Sequence, residues 1–331
     1  MTPPINEIVM GDARSVLQTF PPGCIDAVIT SPPYFRLRDY GVRDQVGLEP
    51  SIDEWVDDLK FVFRGISRVL SPHGSVWLNL GDSFSRRSQH GAPPKSLLLG
   101  PERLACALLE EGYSIRNKVV WAKSRPMPTS ARDRLTCTWE VMYLLTRSKD
   151  YYFDLDAIRV PHRSGRFTPR SKADVYPPPG VTPDRSDPDR PGNGGLASLK
   201  QQGLPGHPLG KNPGDVWSLP SSNFRGAHFA TFPEALIERP TLASVPEKVC
   251  RSCGSPWRRT RGTRRTQLRP RCACPHREAR KGRVLDPFMG SGTVGVVARR
   301  HGRDYVGIEL NPQFVSLARA RILKTTRERT S

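Results

Sequence analysis

Two short stretches near opposite ends of the chain hold residues whose types and spacing could do chemistry. In "ITSPPYF", a small hydroxyl at Ser31, two prolines at Pro32 and Pro33 and an aromatic ring at Tyr34 directly follow an apolar run. Proline fixes its own φ and lacks an N–H, so this is a rigid, half-polar turn. In "VLDPFMGSGTVGVVA", Gly290 and Gly292 sit where a strand would turn into a helix, and their missing side chains would let a ligand approach the backbone. The acid Glu309 ends the next strand, "YVGIEL", 17 residues after Gly292. In nucleotide-type sites an acid so placed accepts hydrogen bonds from ribose hydroxyls. The G-S-G spacing differs from G-x-G-x-x-G, so phosphate is not demanded. A buried Asp286 facing the turn suits a ligand with a cationic end, such as the ammonium of a methionine moiety. The two glycines alone describe an ordinary strand-to-helix turn; with Asp286 and Glu309 the turn becomes a candidate cofactor site.

A third constellation is Cys250-x2-Cys253 followed by Cys272-x-Cys274, with His276 nearby. Two close pairs separated by a loop are what tetrahedral zinc needs, and in a cytosolic chain metal is favoured over a disulfide. The second pair departs from the C-x2-C of a zinc ribbon. Between the pairs lie Arg258, Arg259, Arg261, Arg264, Arg265, Arg269 and Arg271, with no acid. A zinc-pinned arginine loop is suited to gripping phosphates, and Arg258, Arg259, Arg261, Arg264 and Arg265 are the candidate DNA contacts. The alternative is a solvated charged loop.

The composition points the same way. In 331 residues, 51 Lys and Arg face 32 Asp and Glu, a net charge of +19 that calls for a polyanionic partner, nucleic acid first. No amphipathic basic helix or lipidation motif supports a membrane surface. The N-terminus lacks a signal-peptide core, and no stretch approaches a membrane-spanning run, so a cytoplasmic location is expected. The seven cysteines include the scattered Cys24, Cys106 and Cys137, unlike a disulfide framework.

These residues need a scaffold that brings distant parts of the chain together. Short apolar runs alternate with amphipathic stretches, as in a parallel sheet flanked by helices. "INEIVM", "IDAVIT", "GSVWLNL", "NKVVWAK" and "EVMYLLT" read as strands. The helix after Ser51, a plausible N-cap, lines up Ile52, Trp55, Val56, Leu59, Phe63, Ile66 and Leu70 on one face. The chain closes with strand "GRVLDPF", helix "TVGVVARRHG", strand "RDYVGIEL" and helix "PQFVSLARARILK". From 161 to 213 the composition turns to Pro, Gly, Ser and charge without period. Such a stretch is either disordered or a loop that orders on a partner.

With "TSPPYF" and "LDPFMGSGT" in that order, the chain resembles the S-adenosylmethionine-dependent DNA amino-methyltransferases of the β class, whose motif order is circularly permuted. "RVLSPHGSVWLNLGD", "GDVW" and "HFATFPEALIERP" look alike too, and the resemblance covers 1 to about 160 and 214 to the end. It implies a Rossmann-like α/β fold, a mixed seven-stranded sheet flanked by helices, with a variable insertion. It divides the chain into a catalytic half (1–160), a variable insertion that could recognise the target (161–213), a cofactor-closing helix segment (214–249), a Cys-rich basic insertion (250–280) and an S-adenosylmethionine-binding half (281–331).

The resemblance also implies roles. Ser31 and the Pro32 carbonyl would accept the hydrogens of an exocyclic amine, with Pro33 keeping the turn rigid, so that the nitrogen lone pair can attack the sulfonium methyl. Tyr34 would stack on a base flipped from double-stranded DNA, with Phe35 in the same pocket. Asp286, Phe288, Gly290, Gly292 and Thr293 match the motif around the methionine portion, and Glu309 the ribose acid. Phe232 and Pro233 would close over the cofactor, and Asp12 would reach its adenine end or simply cap a helix. Ser31 favours cytosine N4, with adenine N6 as the alternative and an inactive DNA-binding zinc protein as a reading of another class. Cytosine C5 needs a thiolate after proline, and no cysteine here follows a proline. A cognate restriction endonuclease is the further partner such an enzyme can have.

Overall fold

The computed structural model describes residues 3–162, 207, 209–221, 232–261, 266–275 and 278–327. Arg264, Arg265, His276 and most of the 161–213 insertion lie outside the described residues. Met1–Asp154 and Gly214–Ser331 form one compact unit and Leu155–Pro213 a second. In the second unit, Val160 and Lys211 form an antiparallel bridge and Arg159 pairs with Asp156 at 2.6 Å.

The first unit opens with β1 (Glu7–Met10), α1 (Ala13–Thr19), β2 (Ile25–Thr30), α2 (Ile52–Val69), β3 (Leu70–Leu80), α3 (Gly100–Glu110), β4 (Ser114–Lys123) and β5 (Trp139–Thr146). It continues with β6 (Val216–Leu219), α4 (Glu234–Ser244), β7 (Val249–Cys250), β8 (Arg258–Arg261), β9 (Thr266–Arg269) and β10 (Ala279–Arg280). It ends with β11 (Arg283–Asp286), α5 (Thr293–Arg300), β12 (Asp304–Glu309) and α6 (Pro312–Arg327).

The principal sheet runs β1-β12-β11-β2-β3-β5-β4-β6. It is mixed: β5 is antiparallel to both neighbours, and the other pairings are parallel. The expected seven strands are thus corrected to eight. The additional strand, β6, pairs with the edge of β4 because Trp217 drops into the core beside Trp77, with ring centroids 6.1 Å apart, while its neighbour Val216 faces solvent.

Helices cover both faces, which is why β2 is buried at every position. On one face α1, α2 and α3 pack over Val28, Val76 and Leu78. On the other α4, α5 and α6 pack over Ala27, Ile29 and Val284. Helix α2 begins as its sequence dictates, with the Ser51 side chain accepting from the Glu54 N–H at 3.3 Å. Its face of Ile52, Trp55, Leu59, Phe63 and Ile66 is essentially fully buried, each side chain contributing about 1.5–3 kcal/mol. Among the described residues no helix is long and apolar enough to cross a membrane.

Candidate active site

Strands β1, β12, β11 and β2 are parallel, so their carboxyl ends meet along one edge of the sheet. From β2 the chain moves outward to β3, whereas β11 is followed by β12 on the opposite side. The point of reversal, between β11 and β2, is where open α/β sheets leave a crevice. A cleft lies there, lined by Gly11 and Asp12 after β1, Ser31 and Pro33 after β2, Pro287 to Ser291 after β11, and Glu309 to Asn311 at the end of β12. Motifs from opposite ends of the chain thus share one site, because sheet order places the C-terminal strands in the centre.

Asp286 ends β11 and is only 1% exposed. Its Oδ1 accepts from Thr30 Oγ1 at 2.7 Å and from the Phe288 N–H at 3.1 Å, leaving Oδ2 to a ligand. Burial, with a smaller push from the Glu309 charge, raises its pKa to about 7 against the hydrogen bonds from Thr30 and Phe288. A cation delivered into the cleft would therefore find a carboxylate that water does not compensate. Glu309 is also raised by burial. One oxygen accepts from the Gly290 N–H at 2.7 Å and the other from the Asn311 N–H at 2.8 Å, and each keeps a lone pair for a hydroxyl. The acid and the glycine turn are therefore a single hydrogen-bonded construction, with Gly290 at φ +50°.

Phe288, Gly290 and Thr293 line the same cleft. Gly292 lies off its lining. It caps α5 at φ +80°, and a Cβ there would fall 2.9 Å from the Cβ of Ala318 on α6, so helix packing is what demands glycine. Phe232 lines the cleft, while Pro233 caps α4 and does not. Arg321 of α6 binds Glu234 at 2.7 Å and the Thr293 hydroxyl at 2.9 Å, tying the start of α4 to the turn. Asp12 is both helix cap and cleft wall: its side chain accepts from the Arg14 N–H at 2.6 Å, and Arg14 also pairs with Asp58 at 3.0 Å. Sequence reasoning missed Thr30, and also Tyr40 and Phe314, an edge-to-face pair at 6.2 Å on the cleft wall.

The Ser31 turn is braced from below. Trp55 Nε1 donates to the Pro33 carbonyl at 2.9 Å, which fixes the register of the two prolines. Ser31 Oγ donates to the Tyr34 hydroxyl at 3.3 Å, and that hydroxyl donates to Glu140 Oε2 at 2.7 Å. Lys123 Nζ holds the other Glu140 oxygen at 2.6 Å. Asn79, itself bonded to the Val141 carbonyl, presents Oδ1 to the Tyr34 hydroxyl at 3.2 Å. Burial and the Glu140 charge push the phenol well above its ordinary value, so it stays protonated. Gly81 leaves room for the ring, since a Cβ there would lie 2.7 Å from it. Glu140 and Lys123 carry no motif; their only signal is a carboxylate and an ammonium at facing ends of adjacent strands. Phe35 is core, packed edge-on to His90 at 5.7 Å.

Beyond the turn an open depression is lined by Arg36, Asp82, Arg86, Lys95, Met127 and Arg134 among others. In the β8–β9 hairpin, Arg258 and Arg259 are already held in ion pairs. Arg258 pairs with Asp150 at 2.8 Å, and Arg259 with Asp154 at 2.6 Å and with Glu247. Both fasten the hairpin to the body.

The N6/N4 methyltransferase family model, described as DNA methylase, matches residues 25–320. Type II methyltransferase M.Cfr9I of Citrobacter freundii is 33% identical over 329 residues, covering 93% of this chain and 84% of its own. Type II methyltransferase M.SmaI of Serratia marcescens is 32% identical over 339 residues, covering 96% and 91%. Among solved structures, PvuII DNA methyltransferase (cytosine-N4-specific) matches with a TM-score of 0.57 at 17% identity, over 98% of this chain and 94% of that one. A putative DNA modification methylase of Thermus thermophilus, TTHA0409, complexed with S-adenosyl-L-methionine, matches with a TM-score of 0.55 at 21% identity, over 97% and 94%. These two likenesses speak to the fold.

Proposed function

Because the chain belongs to the N6/N4 family of DNA methylases, we propose that it transfers methyl from S-adenosylmethionine to the exocyclic amine of a DNA base flipped out of the duplex, with cytosine N4 the target. The observation that carries this reading is the shared cleft, in which Ser31 and Asp286 stand at adjacent strand ends.

Bound S-adenosylmethionine supplies an electrophilic methyl on a sulfonium centre. Asp286 would hold its ammonium, Glu309 its ribose hydroxyls, and Phe232 and Phe288 its apolar flanks. The remaining work falls to the Ser31 turn. An exocyclic amine is a poor nucleophile because its lone pair is delocalised into the ring. Ser31 points its own proton at Tyr34, and Tyr34 points its proton at Glu140, so the Ser31 lone pairs are free to accept an amine hydrogen. Together with the Pro32 carbonyl this draws the nitrogen toward tetrahedral geometry, a preorganised electrostatic effect. When the N–CH3 bond forms and the S–CH3 bond breaks, the nitrogen must shed one proton. The run Ser31, Tyr34, Glu140 is aligned to pass it to the Glu140 carboxylate, which Lys123 steadies.

A neutral hydroxyl at the first motif position, where adenine enzymes of the resembling family often carry Asp or Asn, favours cytosine. The names of its type II relatives add a second element to this reading: modification of a recognition site that a cognate endonuclease would otherwise cut. Incubation with unmethylated DNA and methyl-labelled S-adenosylmethionine, followed by digestion and mass spectrometry of nucleosides, tests it. N4-methylcytosine is expected. N6-methyladenine would reverse the base, and label that enters RNA but not DNA would overturn the substrate.

A further inference from the structure

We propose that Cys250, Cys253, Cys272 and Cys274 bind one structural zinc ion that closes the stem of the β8–β9 hairpin. Their four sulfur atoms all lie within 4.8 Å of one another. A tetrahedral zinc–thiolate site holds each sulfur at about 2.3 Å, which sets neighbouring sulfurs about 3.8 Å apart, so small rotamer shifts complete it. Among the described residues no other group of metal-ligating side chains converges in this way.

The hairpin between the two pairs explains why a metal is needed. Strand β8 reads RRTR and β9 TQLR, paired antiparallel from Arg258↔Arg269 to Arg261↔Thr266. A two-stranded ribbon with Leu268 as its single apolar residue has no core of its own, and such ribbons are marginal in water. Ion pairs from Arg258 and Arg259 hold one strand of it. The cysteines stand just outside the two strands, where the chain enters at 250–253 and leaves at 272–274, so a shared ion would clamp entry to exit.

The backbone already holds the first pair in position. The Cys250 N–H donates to the Ser255 carbonyl at 2.9 Å and the Gly254 N–H to the Cys250 carbonyl at 3.0 Å, a tight turn with Gly254 at φ +73°. Cys250 also pairs with Ala279 of β10, and the adjacent Arg280 binds Asp26 of β2 at 2.6 Å. The cluster therefore sits on a strand anchored to the principal sheet. Four thiolates fill all four positions, leaving none for water, which makes the ion structural rather than catalytic. Thiolate softness selects zinc over magnesium or calcium. None of the four cysteines lines the cleft, so the ion has no part in methyl transfer.

The test is metal analysis of the full chain purified under reducing conditions without chelator and then dialysed against zinc and buffer. Wild-type protein is expected to carry about one zinc, and Cys253→Ser with Cys274→Ser at least about five-fold less. Cys137→Ser, an exposed cysteine outside the cluster, should retain the wild-type content. S-adenosylmethionine titration separates metal loss from unfolding: the double variant should bind within about three-fold of wild type, because the cleft is built elsewhere. Folded, cofactor-binding wild-type protein with under about a tenth of a zinc equivalent would overturn the proposal, as would iron at full occupancy or two disulfides among the four cysteines.

Discussion

Tyr34 donates its hydroxyl to Glu140 Oε2 at 2.7 Å, which ties the ring of the Ser31 turn to a carboxylate 106 residues further along the chain. Lys123 holds that carboxylate from the other side at 2.6 Å. If Glu140 receives the proton released by the amine, Glu140→Gln should keep the hydrogen-bond geometry and lose the base. The expected outcome is a fall in kcat of about 100-fold, with S-adenosylmethionine affinity unchanged. Raising the pH should restore part of the lost rate, which repair of a merely structural defect would not produce. Single-turnover rates across pH decide it.

Tyr34→Phe and Tyr34→Ala separate two roles of one side chain. Phenylalanine keeps a ring for stacking and removes the hydroxyl that links Ser31 to Glu140, so kcat should fall about 100-fold, as for Glu140→Gln. Alanine removes both and should lose most turnover while retaining cofactor affinity. Equal rates in the two variants would mean that the ring contributes nothing beyond its hydroxyl.

Asp286 predicts a pH dependence whose sign is fixed. Its carboxyl is raised from 3.8 to about 7 by burial. A folded-state value above the unfolded one means that the folded, ligand-free protein holds the extra proton, so its stability falls as pH rises from about 4 to about 7. Binding of a cation needs the ionised form, so S-adenosylmethionine affinity should strengthen from about pH 6 to about pH 7.5. Asp286→Asn keeps Oδ1 for Thr30 and the Phe288 N–H, and should both weaken binding and flatten its pH slope. Calorimetric titration of the two proteins at both pH values checks this; parallel slopes would remove the cation from Asp286.

The strands, helices and converging motifs are legible in the sequence because β2, α2 and the β11–α5–β12 unit carry strong apolar periodicity, and because the positions of Asp286, Gly290 and Glu309 are set by local turn chemistry. What stays hidden is what depends on cross-strand neighbours. Glu140 and Lys123 meet only through the pairing of β4 with β5, in which Trp121 faces Glu140. Thr30 reaches Asp286 across 256 residues. Strand β6 escapes detection as an eighth strand, since four residues show too little alternation and a tryptophan anchor leaves no period. Gly292 reads as a ligand-approach glycine because a close helix and a close ligand impose the same requirement on sequence.

Gly292→Ala follows from that distinction. A Cβ would stand 2.9 Å from the Ala318 Cβ and 3.1 Å from its Cα, in a residue held at φ +80°. Overpacking of this kind costs about 1–3 kcal/mol, so a lowered thermal midpoint is expected in the absence of any ligand. Loss of cofactor affinity at unchanged stability would return Gly292 to the binding turn.

The basic residues divide by what they already hold, and DNA affinity measured across salt concentrations should divide them in the same way. Arg258 is paired with Asp150 and bonded to the Tyr151 carbonyl, so Arg258→Ala should loosen the hairpin and lower stability while leaving the salt slope nearly intact. Arg86 and Arg134 line the open depression beyond the Ser31 turn, and Arg134 is exposed, with its guanidinium carbon 3.7 Å from the centre of the Phe84 ring. If duplex phosphates run through that depression, each of Arg86→Ala and Arg134→Ala should weaken binding uniformly across sequences and reduce the slope of log affinity against log salt by about one. Cofactor affinity should stay unchanged, because neither residue lines the cleft. Slopes that change with Arg258 and not with Arg86 or Arg134 would move the phosphate path to the hairpin.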